Sequence, residues 1–365
     1  MYSFEPTEEQ QMLVEAVGRY AANDLRAAAR EAEEAGGLPK KLVSKGWELG
    51  LLQASIPEAY GGFGERSAVT SALALEETAF GDLSGALAVG APSLFAVPIL
   101  LAGSEEQKQK YLPEVIEADW RPYTAALIEY TFDFDPLALK TTAVLKGEEY
   151  TLNGEKAFVP FAKEAEALLV YASLDGQTQG FILEKGAAGL TISDEREKLM
   201  SLNALPLYRV RLENVKVPAS MRLGGASGHD FDLILTSMRI ACAATAVGVA
   251  NAAFEYACAY AKDREAFGVK IAQKQAIAFM LAEMRTEIEA SRLLMWEAAW
   301  KLDTGKEDAP VEAYLAATGA ADMVMMVTDR AVQILGGHGY IREHPVEMWM
   351  RNGRGFAMFT GLAIV

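Results

Sequence analysis

The chain has 365 residues, of which 51% are hydrophobic and 23% charged, and its formal net charge is −16. This composition is typical of a globular protein of two or three domains and excludes an intrinsically disordered chain. The negative charge argues against a nucleic-acid-binding surface, which needs a basic face.

Several other classes of protein are also disfavoured. No apolar run reaches the roughly 18–20 residues of a transmembrane helix, and the N-terminus lacks the features of a secretory signal. Cys242 and Cys258 share one helical stretch, which separates them too far for a disulfide. The three histidines lack the spacing of metal ligands. We therefore expect a cytoplasmic protein with no metal site, no membrane contact and no nucleic-acid partner.

Residues 1–120 predict an N-terminal α-helical domain. Thr7 and Gln10 have the spacing of a capping box, which marks the start of a helix. Three apolar residues then follow at helical spacing. They are Leu13, Val17 and Tyr20.

Residues 121–225 predict a middle β domain, because the hydrophobic period changes to two. Apolar residues alternate with arginines over 208–212, and short apolar runs occupy 168–171 and 180–183. The segment Leu152–Glu155 contains an Asn-Gly pair, the strongest short signal of a hairpin turn. We therefore expect a turn at that segment.

Residues 226–365 predict a second helical domain. One face of a long helix carries apolar residues at steps of four, three, four and seven, and Gly305 and Pro310 end that helix before the next. The order of helices, sheet and helices predicts an α+β fold and excludes an alternating doubly wound one. The residues of the apolar face are Ile277, Leu281, Met284, Ile288 and Met295.

Four blocks in the same order resemble the acyl-CoA dehydrogenase family over nearly the whole chain. They are the glycine-rich loop 56–64, the segment 103–113, the Asp263–Gln275 block and Gln333-Ile334-Leu335-Gly336-Gly337. The resemblance implies an N-terminal helical domain, a middle β-barrel or sandwich domain and a C-terminal four-helix bundle. It also implies bound FAD, an acyl-CoA ester as substrate, and a homo- or hetero-oligomer whose subunits share FAD sites.

Two of these blocks match the family's contacts with the FAD tail. Residues at the positions of Arg264, Phe267 and Gln275 hold the pyrophosphate and adenine of an FAD bound largely to a neighbouring subunit. A guanidinium suits that role because its forked donors match phosphate oxygens. Gln333, Gly336 and Gly337 match the second tail contact. The structural alternatives are a surface arginine beside a helix and a helix that ends in a tight turn.

The half of the site that holds the flavin ring departs from the family. The family places two threonines against the isoalloxazine, in V-T-E-P and W-I-T-N segments, where Ile128 and Pro160 stand here. Neither side chain can donate a hydrogen bond, although Phe158 offers an aromatic ring for stacking. Phe134 stands where a serine usually serves coenzyme A.

The usual catalytic glutamate is also missing. Thr360 and Met238 occupy the family's two alternative positions for it, and neither a hydroxyl nor a thioether takes a proton as a carboxylate does. We therefore identify no catalytic residue. The other carboxylates have non-catalytic interpretations: Asp230 and Asp232 at a helix N-terminus, Glu129 as a structural residue, and Glu77 and Asp82 as solvated groups.

These observations predict a divergent FAD-dependent acyl-CoA dehydrogenase, which desaturates an acyl-CoA thioester between its α- and β-carbons. The sharper form of the prediction is a partner subunit without a base in a heteromeric dehydrogenase. Two alternatives remain open: an active enzyme with an atypical base and substrate, and a relative of the flavin monooxygenases. A purely structural role is the non-enzymatic alternative.

Overall fold

The computed structural model describes residues 5–365, and these form helices, then a sheet, then helices. The predicted α+β fold class is therefore confirmed. Within the described residues the helices before the sheet are α1 Glu8–Tyr20, α2 Arg26–Ala35, α3 Lys40–Trp47, α4 Leu51–Ala54, α5 Ala68–Gly81, α6 Leu83–Val89, α7 Ser93–Ala102 and α8 Glu105–Val115.

The predicted capping box begins α1. The Thr7 hydroxyl accepts a hydrogen bond from the Gln10 backbone N–H at 3.2 Å, and the Gln10 side chain accepts one from the Thr7 N–H at 3.0 Å. Both bonds satisfy donors that a helix start would otherwise leave unpaired. Val17 and Tyr20 then face the core, at 0% and 3% exposure, so this prediction is confirmed.

The middle region is one mixed sheet of seven strands. The long strand β4 pairs antiparallel with β5 along one edge and parallel with β1 and then β2 along the other. From β2 the sheet continues through β3 and β7 to β6. The strands are β1 Thr124–Ala126, β2 Thr142–Lys146, β3 Glu149–Pro160, β4 Ala167–Leu174, β5 Gln177–Glu184, β6 Leu190–Ile192 and β7 Leu207–Pro218.

The hairpin turn predicted at Leu152–Glu155 is wrong, because these residues lie inside β3. The turn lies instead at Gly147, between β2 and β3. At Gly154 the register between β3 and β7 shifts. A Cβ atom on Gly154 would come within 2.5 Å of the Thr141 hydroxyl oxygen. The Asn-Gly pair therefore marks a bulge and a close backbone approach, which are the other uses of glycine in a strand.

Long helices form the C-terminal region. Gly248 of α9 lies directly against α5, since a Cβ atom there would come within 2.2 Å of the Glu76 carbonyl oxygen. In α10 the predicted apolar face is buried at Met284, Ile288 and Met295, all at 0% exposure. The elements are α9 Phe231–Asp263, the hairpin β8 Glu265–Ala266 and β9 Val269–Lys270, α10 Gln275–Asp303, α11 Ala309–Leu335 and α12 Val346–Gly355.

Helix α9 is the centre of the C-terminal region. It is the one single helix of the described chain that is long and apolar enough to cross a membrane, and 89% of its apolar window is buried inside the protein. Many of its buried residues are alanines, so neighbouring helices can approach it closely on several sides. The core helix of a globular protein has this pattern.

Charged side chains tie the three regions together. Glu33 of α2 forms an ion pair with Arg351 of α12 and accepts a hydrogen bond from Asn203 Nδ2 at 3.3 Å. Arg351 also donates to the carbonyl oxygen of Met200 at 2.8 Å. The helices at both ends of the chain therefore hold the loop that precedes β7.

Candidate functional site

An open groove brings together residues from the two segments predicted to hold the FAD tail. Arg264 follows the last residue of α9, and Gly336 and Gly337 follow the last residue of α11. With Tyr260 and His338 these residues line a groove of about 400 Å³. The fold thus unites two distant blocks of the sequence at one end of the helical region.

The groove presents an unpaired cation to open space. Arg264 forms no ion pair with a carboxylate among residues 5–365, and its neighbour Glu265 pairs with Lys270 at 3.2 Å instead. A Cβ atom added to Gly336 or Gly337 would meet nothing within 4 Å. A free guanidinium beside an open groove is suited to bind a phosphate group. The residues here fit the pyrophosphate end of a dinucleotide.

Phe267, Gln275 and Gln333 do not line this groove. Phe267 lies in the turn between β8 and β9, with a φ of 55° and 95% exposure. Gln275 begins α10, and Gln333 lies in the last turn of α11, both exposed. Their cofactor-binding roles stay predictions, because each would need to contact a ligand or subunit outside this chain.

Sequence reasoning missed two groove residues, Tyr260 and His338. The Tyr260 hydroxyl lies 2.7 Å from His338 Nδ1. A signal was present for each: His338 stands between the paired glycines and Gly339, and Tyr260 precedes Arg264 by one helical turn.

The segments predicted to face the flavin ring lie side by side. The Ala157 N–H donates to the Ile128 carbonyl oxygen at 2.9 Å, and the rings of Tyr130 and Phe158 have centroids 6.1 Å apart. Phe158 is 8% exposed and has a φ of 55°, beside a register shift in β3. A positive φ at a non-glycine residue is costly and concentrates at functional sites. The structure places Phe158 here and not at the Arg264 groove.

These two segments, residues 127–130 and 158–161, form the ring-side region of the chain. The ring-side region does not supply the two expected donors. Ile128 is 4% exposed and carries only hydrocarbon, and Pro160 is buried without an N–H. The next residue, Phe161, packs edge-on against Trp120, with centroids 5.0 Å apart. The residues present therefore fit an isoalloxazine poorly, in contrast to the groove at Arg264.

The two positions of the usual base lie near consecutive turns of α9. Met238 is 0% exposed within an apolar cluster. Thr360 is half-buried and lies beside the thiol of Cys242, which is one turn after Met238 and donates to the Phe356 carbonyl oxygen at 3.7 Å. The adjoining Gly361 lies against Leu127, since a Cβ atom there would be 3.0 Å from the Leu127 side chain. Thr360 therefore borders the ring-side region.

No other group at this position replaces the missing glutamate. Residues 355–365, which surround Thr360 in the chain, contain neither Asp nor Glu, and no hydrogen bond joins Thr360 to a carboxylate in the described part of the chain. Burial raises the pKa of the Cys242 thiol to about 12, so that thiol is protonated at neutral pH and is not a base either.

Two of the non-catalytic interpretations agree with the structure. Asp230 caps α9, since its side chain accepts the Asp232 N–H at 2.9 Å. Glu129 is 5% exposed and accepts hydrogen bonds from Lys156 Nζ at 2.8 Å and from the Thr141 N–H at 2.8 Å. Both carboxylates stabilise local structure.

The prediction that Glu77 and Asp82 are solvated is wrong. Asp82 is 4% exposed and caps α6 by accepting the Gly85 N–H at 2.7 Å. Burial raises the pKa of Asp82 to about 6. Glu77 is half-buried, and burial, with the charge of Glu76, raises its pKa to about 7. Sequence spacing alone could not show that α5 and α6 are enclosed by other elements at this point.

The domains of one known protein family match almost the entire chain. Residues 7–119, 125–215 and 232–363 match the N-terminal, middle and C-terminal domains of acyl-CoA dehydrogenases, respectively. Among curated relatives, a cyclohex-1-ene-1-carbonyl-CoA dehydrogenase of Syntrophus aciditrophicus is 36% identical, over 98% of this chain and 87% of its own length. Subunit CarC of a caffeyl-CoA reductase–Etf complex of Acetobacterium woodii is 35% identical, over 92% of this chain and 89% of its own.

Solved structures agree with these matches. Butyryl-CoA dehydrogenase from Megasphaera elsdenii has a TM-score of 0.88 and 33% identity, covering 99% of this chain and 96% of that one. Other structural neighbours were solved with FAD or its reduced form bound.

Proposed function

Since the chain belongs to the acyl-CoA dehydrogenase family, we propose that it serves the FAD-dependent α,β-desaturation of an acyl-CoA thioester. FAD, when bound, accepts the hydride that leaves the β-carbon. The protein must also provide a base for the α-proton and donors for the thioester oxygen as it gains negative charge. This chain provides the parts of such a site unequally.

The Arg264 groove is the single observation that carries the proposal. Its guanidinium has no carboxylate partner among the described residues, and the paired glycines leave open space beside it. Arg264 would bind the pyrophosphate of FAD through its forked donors. The groove would orient the cofactor tail without any contribution from the ring-side region.

The groove serves a flavin ring that lies on another subunit. Met238 and Arg264 are both on or at the end of α9, and twenty-six residues of α-helix span about 39 Å. One dinucleotide does not cover that distance. An FAD tail held at Arg264 therefore belongs to a ring outside this chain's own ring-side region, as expected for subunits that share FAD sites.

The ring-side region of this chain lacks the groups that desaturation needs. Thr360 and Met238 stand at both positions of the base, and Ile128 and Pro160 provide no donor. The absence of a general base alone costs about 10²–10⁴ in rate. A site with all of these features is a poor catalyst by itself.

The retained and missing residues together favour a partner subunit in a heteromeric dehydrogenase. This chain would contribute Arg264 and the paired glycines to an FAD whose ring and base belong to an active partner. The likeness to CarC, a subunit of a multi-protein complex by name, is consistent with such an arrangement. The acyl group of the substrate would then be recognised chiefly by the partner.

Purification of the full chain, alone and together with a dehydrogenase encoded next to it, would test this proposal. We expect the lone chain to hold little FAD and to show no bleaching of the flavin band with acyl-CoA esters. The mixed assembly should hold FAD and bleach. Stoichiometric FAD with full turnover in the lone chain would rule out the partner role, and FAD in neither preparation would rule out the cofactor.

A pair of arginine variants makes the test specific to the groove. Arg264→Gln should weaken FAD binding by the mixed assembly about tenfold or more, as expected for a lost hydrogen bond to a charged group. Arg211→Gln is the matched control, because Arg211 lies on β7 and pairs with Glu213 at 2.8 Å. Equal FAD affinity of both variants would remove Arg264 from the site.

A further inference from the structure

We propose that His338 is an additional ligand of the cofactor tail, and that Tyr260 holds its imidazole in the form that donates from Nε2. The expected acceptor is a phosphate oxygen of the pyrophosphate in the Arg264 groove. This inference rests on the proposed function, since it requires that the groove receives a nucleotide tail.

The fold places His338 next to Arg264. The residue lies in the single 3₁₀ turn Gly336–Tyr340 that follows α11, and it lines the same groove as Arg264. The imidazole is half-buried. Its Nδ1 is 2.7 Å from the Tyr260 hydroxyl, whereas Nε2 has no hydrogen-bond partner among residues 5–365. The ring therefore keeps one nitrogen engaged and one available to a ligand.

The hydrogen bond to Tyr260 determines which nitrogen carries the proton. A neutral imidazole has one donor and one acceptor nitrogen, and a phenol O–H donates readily. We assign the donor role in this hydrogen bond to the phenol O–H, because the Tyr260 hydroxyl has no other acceptor for its proton in the described part of the chain. The imidazole proton then resides on Nε2. The protonated ring also carries a proton there, so both forms offer an N–H to a phosphate.

A second histidine provides a control with similar surroundings. His344 Nδ1 is 2.7 Å from the hydroxyl of Tyr256, which is one turn before Tyr260 on α9. The two imidazole rings have centroids 5.4 Å apart. His344 does not line the groove. Like His338, His344 is hydrogen-bonded to a tyrosine of α9 and packs against the other imidazole. It differs from His338 in lying outside the groove beside Arg264.

ADP is the most direct probe, because it carries the adenosine and two phosphates of the FAD tail without the flavin ring. Its affinity for the mixed assembly can be measured by calorimetry, with FAD as competitor. His338→Asn keeps an acceptor near the position of Nδ1 but has no atom near Nε2. His338→Gln carries its amide N–H₂ further out, close to the position of Nε2. His344→Asn is the matched control.

We expect His338→Asn to weaken ADP binding about tenfold, and Tyr260→Phe to weaken it less, because the donor remains but loses its orientation. His338→Gln should recover most of the affinity, and His344→Asn should match the wild type. If His338→Asn bound ADP as tightly as the wild type, the inference would be overturned. It would also be overturned if His338→Asn and His338→Gln lost equal affinity for ADP and both had lowered melting temperatures, because His338 would then have a structural role. If the wild-type mixed assembly bound neither ADP nor FAD, the proposed function would fail first, and this inference with it.

Discussion

Lys156 and Glu129 form a buried ion pair between β3 and the segment after β1, with 2.8 Å between Nζ and Oε1. Lys156 is 0% exposed and also donates to the Leu127 carbonyl oxygen at 3.1 Å. Burial lowers the pKa of Lys156 to about 8, although the charge of Glu129 opposes this shift. For Glu129 burial acts to raise the pKa, but Lys156 and backbone N–H groups outweigh it and the net shift is downward. The pair fixes the ring-side segments that contain Ile128 and Phe158.

Glu129→Gln should destabilise the protein by about 3–5 kcal/mol, because it leaves a buried ammonium without its counter-ion. Lys156→Met should cost less, since Glu129 keeps its hydrogen bonds from the Lys140 and Thr141 N–H groups. Denaturant unfolding of both variants measures the difference. The exposed pair Lys110–Glu184 is the control, and Lys110→Met should change the free energy of unfolding by less than about 1 kcal/mol. A Glu129→Gln variant as stable as the wild type would contradict the structural role of the pair.

Met238 and Thr360, which occupy the family's two alternative positions for the catalytic glutamate, should differ in their tolerance of a carboxylate. Met238→Glu places a charge among apolar side chains at a site with 0% exposure, so we expect a loss of more than about 3 kcal/mol. Thr360→Glu enters a half-buried position beside Cys242 and should fold with a melting temperature near that of the wild type.

The activity of the Thr360→Glu variant bears on the partner role. With acyl-CoA esters the lone variant should remain inactive, because Ile128 and Pro160 still offer no donor to a flavin ring. Turnover by this variant alone would show that the chain's own ring-side region is competent.

Sequence reasoning succeeded where local patterns determine structure. The capping box at Thr7, the apolar face of α10 and the strands around 168–171 and 180–183 all depend on neighbouring residues, and the structure confirms them. The fold brings Arg264 and the paired glycines of the family blocks to one groove, and their role in binding the cofactor stays a prediction.

It failed where a residue's surroundings come from distant parts of the chain. Asn153-Gly154 is a turn signal by itself, but Thr141 lies so close that the pair forms a bulge inside β3. Asp82 follows a helix and looks solvated, yet it is 4% exposed in the folded chain. Tyr260 became a site residue only through its contact with His338, seventy-eight positions away.

The raised pKa of Glu77 predicts that the free energy of unfolding depends on pH. Its pKa in the folded state, about 7, lies above the ordinary value of 4.5, with burial as the main cause. The folded chain therefore binds more protons than the unfolded chain between these values. The resulting stabilisation is fully present below pH 4.5 and is lost as the pH rises through about 7.

Glu77→Gln removes this titration. The variant should match the wild type near pH 4.5 and exceed its stability at pH 8, by about 1–2 kcal/mol after allowance for solvent screening. Unfolding free energies measured across this range test the prediction, with exposed Glu148→Gln as the control. A constant difference between Glu77→Gln and the wild type would show that Glu77 does not titrate in this window.

Asp303 joins the end of α10 to the start of α5, and its removal should weaken that junction. Its two carboxylate oxygens accept the Ala68 N–H at 2.7 Å and the Val69 N–H at 3.1 Å. These are N–H groups of the first turn of α5, which have no partner within the helix.

Asp303→Ala should therefore cost about 0.5–2 kcal/mol, the usual range for the loss of a helix N-cap. Asp303→Asn should cost less than Asp303→Ala, because one oxygen acceptor remains. It should still be less stable than the wild type, because the favourable negative charge at the helix N-terminus is lost. Asp308→Ala is the control, since the exposed Asp308 carboxylate pairs with the Lys301 ammonium at 2.7 Å and makes no capping hydrogen bond to α11. The expected order of unfolding free energies is wild type and Asp308→Ala highest, then Asp303→Asn, then Asp303→Ala. An Asp303→Ala variant as stable as the control would mean that Ser67, which accepts the Thr70 N–H at 3.2 Å, is a sufficient cap for α5.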